Sequence, residues 1–81
     1  MPVNFWHGSQ ALYQEENYDF IPPPPIGSGV IWDAAHYRVV DLWLSYDKHG
    51  QLDIGWHVFL EPAEEEDDLP TRLFPDYYHQ G

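Results

Sequence analysis

Between residues 37 and 62 apolar and polar side chains alternate, interrupted once by Asp47-Lys48-His49-Gly50. Period-two alternation marks strands with two distinct faces, and this tetrapeptide reads as a type I turn closed by a left-handed glycine. The segment therefore predicts a β-hairpin with Asp47 opposite Gln51. In that register Val40, Leu42, Leu44 and Tyr46 oppose Val58, Trp56, Ile54 and Leu52, which forms the expected core face. The other face sets Val39, Asp41, Trp43 and Ser45 against Phe59, His57, Gly55 and Asp53. Trp43 is expected to cover the strand glycine Gly55, Asp41 to pair with His57, and Ser45 to hydrogen-bond Asp53. Two partly apolar faces imply either a sheet curled into a small barrel or a face kept for a partner.

Upstream, Val30-Ile31-Trp32 reads as a short strand that Asp33-Ala34-Ala35-His36 turns into the long one. Strands are thus predicted at about 29–32, 37–46 and 51–61, a meander making residues 29–62 the core of one domain. Residues 1–28 read as an aromatic and proline-rich N-terminal arm packing on that core. Within it, residues 4–8 form a short strand or a hydrophobic latch, and 9–16 form two helical turns with Ser9 as N-cap. Tyr18, Phe20 and Ile21 alternate weakly before Pro22-Pro23-Pro24-Pro25, a stiff polyproline spacer flanked by Ile21 and Ile26 as packing residues. Residues 63–81 comprise the acidic run, a short return strand carrying Leu69, Leu73 and Phe74, and a frayed end. The expected fold is all-β: a small, strongly bent antiparallel meander with the outline of an SH3-like barrel. That analogy rests on strand count and spacing, and superfolds do not specify functions.

Composition sharpens this picture in two ways. The 81 residues include no cysteine, so neither disulfides nor thiolate metal sites can hold so small a core. Four Trp, six Tyr and four Phe compensate, and that many rings cannot all be interior. Fourteen acidic residues against three basic ones give a formal charge of −11, which repels phosphate backbones and argues against direct nucleic-acid binding. Solubility, imitation of nucleic-acid charge and salt adaptation all remain open as reasons for the acidity. No apolar run is long enough to span a membrane and no signal peptide is visible, so a cytoplasmic location is expected.

No motif assigns a catalytic residue, a cofactor or a metal. Ser9, Ser28, Ser45 and Thr71 lack a nucleophile elbow, and His7, His36, His49, His57 and His79 lack metal-ligand spacing. The function expected is a non-enzymatic, small acidic protein-binding module. Trp43, Phe59 and His57, bordered by Asp41 and Asp53, are its expected contact residues. Glu64, Glu65, Glu66, Asp67 and Asp68 would steer it toward a protein with a basic surface. This character fits a phage or mobile-element accessory protein that binds or blocks a nucleic-acid-handling host protein. One alternative is a structural or assembly subunit, either a homodimer or a partner for strand addition at the 29–32 edge. The other is a small metal protein or enzyme using His57, Asp41 and His36.

Overall fold

The computed structural model describes residues 1–16 and 22–75. Five strands form one curled sheet, a half-barrel: β1 (Val3–His7), β2 (Gln10–Glu15), β3 (Gly29–Trp32), β4 (Ala35–Ser45) and β5 (Gly55–Pro62). A 3₁₀ turn (Glu65–Asp67) and a short helix α1 (Leu69–Leu73) follow. The spatial order is β2-β1-β5-β4-β3. The predicted meander is therefore present as β3-β4-β5, and the fold is mainly β as expected.

The short strand read over residues 4–8 is present as β1, but the rest of the N-terminal region differs from expectation. Residues 3–15 are a β-hairpin that extends the sheet, and residues 9–16 form no helix. Strand β1 runs parallel to β5, pairing Val3 with Trp56 through His7 with Leu60. A parallel neighbour joins residues far apart in sequence, so no local pattern announces it. Gly55 admits this strand. Its φ of +137° lies where side-chain-bearing residues are strained, and a Cβ there would stand 2.7 Å from the Pro2 carbonyl. Trp56 N–H donates to that same carbonyl at 3.0 Å. Gly55 thus serves the approach of Pro2 rather than a covering Trp43.

The central hairpin keeps its predicted faces near the turn but not its register. Leu42 pairs with Val58 and Leu44 with Trp56, two residues displaced from expectation. The strands end at Ser45 and Gly55, and the loop between them turns at Gly50-Gln51. There His49 and Leu52 exchange both backbone hydrogen bonds at 2.9 Å, and Gly50 takes φ +60° as the first central residue. A slip of two residues leaves every side chain on its own face, so alternation alone could not detect it.

A bulge then changes the faces. Val39 pairs with Leu60 and Asp41 with Phe59, leaving Val40 unopposed. Val39 is consequently 1% exposed and Val40 43% exposed, the reverse of the predicted assignment. Tyr46 and Ile54, also expected in the core, are exposed. The core comprises Val3, Val39, Val58 and Leu60, with Phe5, Leu12, Val30, Tyr37, Leu42 and Trp56 packed around them on the concave face. Burying each of the four fully buried side chains contributes about 1.5–3 kcal/mol before entropy is counted, and the partly buried ones contribute less. A second bulge, between Phe5 and Trp6, leaves Leu12 without a partner in the β1–β2 ladder.

The remaining expectations divide. Pro22–Pro25 carry no regular structure and lead into a turn in which Ser28 N–H donates to the Pro25 carbonyl at 3.0 Å. Ile26, read as a packing residue, is exposed. The return strand is instead helix α1, whose Leu69 and Leu73 are exposed, as is Phe74 after it. Tyr18, Phe20, Ile21 and the end beyond residue 75, His79 included, lie outside the described residues.

Candidate functional site

The convex face is built on β5. His57 sits between Asn4 of β1 and Trp43 of β4 and is fully buried. Trp6 Nε1–H donates to His57 Nδ1 at 3.0 Å, and His57 Nε2 lies 2.7 Å from the Asp53 carbonyl oxygen. An indole nitrogen can only donate and a carbonyl can only accept, so the ring is held as the neutral Nε2–H tautomer. The Trp6 indole, itself 6% exposed, closes the site and stacks on Phe59 with ring centroids 6.4 Å apart.

This geometry corrects three sequence expectations. His57 offers no surface to a partner, because Trp6 covers it and both ring nitrogens are engaged. Asp41 does not pair with His57; it opposes Phe59, and its Oδ1 accepts the Leu42 N–H at 3.1 Å. Ser45 opposes Gly55, and its hydroxyl donates to the Asp47 carbonyl rather than to Asp53. Asp53 contributes its carbonyl inward, while its carboxylate lies 3.8 Å from Lys48 Nζ in an exposed pair that adds little stability.

Trp43 and Phe59 remain as the rings of the outer surface. Trp43, directly opposite His57, is 61% exposed; Phe59 is half-buried against Trp6. Two hollows flank this pair. The first, ≈ 370 Å³, lies toward the turn and is lined by Leu44, Ser45, His49 and Leu52 besides the rings. The second, ≈ 330 Å³, is bounded by Gly8, Val40, Asp41 and Glu61. The expected residues Trp43, Phe59, Asp41 and His57 thus belong to one face, with His57 as its buried support. Gly8, Val40, Glu61 and Trp6 were missed: Val40 depends on the bulge, Gly8 and Trp6 on the parallel pairing of β1 with β5, and Glu61 on Arg38 opposite it being held by distant carbonyls.

The acidic run packs at one end of the same sheet. His36 Nδ1–H donates to the Asp68 carboxylate, at 2.7 and 2.8 Å from its two oxygens. Asp68 also caps α1 by accepting the Thr71 N–H at 3.1 Å. The His36 hydrogen bond, aided by Thr71, lowers the Asp68 carboxyl below its ordinary value. Arg38 donates to the Gly27 and Asp67 carbonyls at 3.0 and 2.6 Å, and Arg72 to the Glu66 carbonyl at 3.1 Å. Both arginines therefore bind backbone, and the carboxylates of Glu64, Glu65, Glu66 and Asp67 remain exposed. Asp68 is the exception in the run, being committed to His36 and the helix.

The metal alternative finds no support in this geometry. His36 is engaged with Asp68 and His57 with Trp6 and Asp53. Among the described residues no three His, Cys, Asp or Glu side chains gather as a ligand set. A separate apolar groove of ≈ 250 Å³ opens on the concave side, where Tyr13 of edge strand β2 approaches Trp32 of edge strand β3 to 6.3 Å. Its β2 wall was hidden from sequence reading by the helical assignment of residues 9–16. Among the described residues no helix is long and apolar enough to cross a membrane. Comparison with known proteins found no matching family model, curated protein or solved structure.

Proposed function

We propose that this chain is a non-enzymatic protein-binding module of small, SH3-like barrel form that engages a basic protein surface through its convex face. One observation carries the reading: Trp43 projects into solvent beside Phe59, on a rigid support of buried Trp6 and His57. Exposed aromatic rings on a rigid base are favoured interface anchors, since little side-chain entropy is lost on contact. The net charge of −11 supports a basic partner and disfavours a phosphate backbone. A cytoplasmic phage or mobile-element accessory protein that blocks a nucleic-acid-handling host protein is the biological setting this chemistry fits.

The test is capture of partners from host lysate by wild-type and Trp43→Ala protein at low and high salt. Basic proteins should be retained at low salt, weakened at high salt, and lost from Trp43→Ala while its circular dichroism stays native. Retention insensitive to both salt and the substitution would reject the reading. A second reading, self-assembly by strand addition, draws on β2 and β3 standing at the sheet edges. Light scattering showing a monomer at every concentration would dispose of it.

A further inference from the structure

The hollow beside Trp43 has a property that its apolar neighbour lacks: among the described residues it is lined by two carboxylates and by no Lys or Arg. Asp41 and Glu61 line it together with Trp43, Phe59 and Val40. Glu61 stands directly across the ladder from Arg38, the residue expected to neutralise it. Arg38 is committed elsewhere, to the Gly27 and Asp67 carbonyls. The chain's other two cations are also placed away from this hollow, Arg72 at the Glu66 carbonyl and Lys48 beside Asp53. Asp41 spends one oxygen on its neighbour's N–H and retains the other.

We infer that this hollow receives an arginine side chain of the partner protein, its guanidinium lying on the Trp43 indole and between the Asp41 and Glu61 carboxylates. The inference rests on the convex face being the protein-binding surface and specifies what that face recognises. Charge complementarity selects a cation, and the exposed indole selects one that stacks. Arginine meets both demands, because its planar fork can lie on a ring while donating edgewise to carboxylates; lysine presents a more strongly hydrated point charge. The adjoining hollow lined by Leu44, Leu52 and Phe59 would take an apolar side chain of the same segment.

The experiment uses the intact chain and three short peptides of Ser-Gly-Arg-Gly-Leu type, carrying arginine, lysine or the uncharged isostere citrulline. Binding is followed by ¹H–¹⁵N correlation spectra. The arginine peptide should shift the Trp43 indole N–H and the Asp41 and Glu61 amides, with citrulline producing no such shifts and lysine binding more weakly. The Asp41→Asn/Glu61→Gln double variant, in which Asn retains the acceptor for Leu42 N–H, should weaken arginine-peptide binding roughly tenfold with an unchanged melting temperature. Equal binding of citrulline, or shifts confined to residues 64–67, overturns the proposal; lysine binding as tightly as arginine overturns the guanidinium assignment. A captured basic partner separates this from the broader reading. If Trp43→Ala loses the partner but the double variant does not, only the arginine site falls. If neither loses it, both fall.

Discussion

The two ends of this chain attach to the same three-stranded meander by opposite means. The N-terminal hairpin enters through a backbone ladder with β5 and buries Val3 and Trp6 completely or nearly so. The C-terminal segment attaches through Ala63 N–H to the His36 carbonyl at 2.9 Å, the His36–Asp68 bond and Arg38, and its helix buries no residue. Apolar burial and internal backbone pairing are part of the cooperative core, whereas a segment held by a few part-buried or exposed polar contacts, with no buried side chain of its own, opens locally at little cost to the rest. The first end therefore belongs to the fold, and the second is a titratable attachment laid against it.

Substitutions can break this contrast, and Trp6→Ala should have the largest effect. It removes a buried ring and strips His57 Nδ1 of its donor, so urea denaturation should show a loss of about 3–5 kcal/mol. A loss below about 1 kcal/mol would mean that the hairpin is peripheral after all. Next, Gly55→Ala forces a Cβ against the Pro2 carbonyl and strains a positive φ, at a cost of about 3 kcal/mol. Hydrogen exchange should then rise first in Val3–His7; unchanged protection there would contradict the role given to Gly55.

Asp68→Ala should act only on the other end, raising amide exchange over Leu69–Leu73 while β5 stays protected. The same attachment should respond to acid in wild type. Because the folded Asp68 carboxyl lies below its ordinary value of 3.8, its contribution is complete above that value and is lost as pH falls through the lower folded value. On acidification below about pH 5, the Thr71 amide resonance should therefore move with a midpoint under 3.8. A midpoint on that acid limb at or above 3.8 would invalidate the assignment. Smallest of all, Trp43→Ala should change stability by no more than about 0.5 kcal/mol, since the ring is mostly in solvent. A larger loss would make Trp43 a core residue and remove the support for the proposed interface.

Local chemistry made the meander legible. Gly29–Trp32, Ala35–Ser45 and Gly55–Pro62 lie close to the strands that alternation predicts, and Leu42 and Leu44 share a face with Val58 and Trp56 as expected. That Trp43 and Asp41 share a face was legible for the same reason, but the exposure of Trp43 was not. Val40 was not, because one unpaired residue reverses every assignment beyond it and leaves no mark on composition. Nor was His57, whose burial depends on a tryptophan that arrives from about fifty positions away in the chain.

Residue order alone thus settles the hairpin periodicity, the absence of thiol chemistry and the excess of negative charge, since each follows from neighbouring residues or from a count. Packing decides which tryptophan is buried, which carboxylate is neutralised and which is left open. Trp6 is interior because β1 lies parallel beside β5, and Glu61 is left open because Arg38 reaches across to Gly27 and Asp67. Those outcomes depend on contacts between distant segments, whose partners are set by closure of the whole sheet rather than by any local preference.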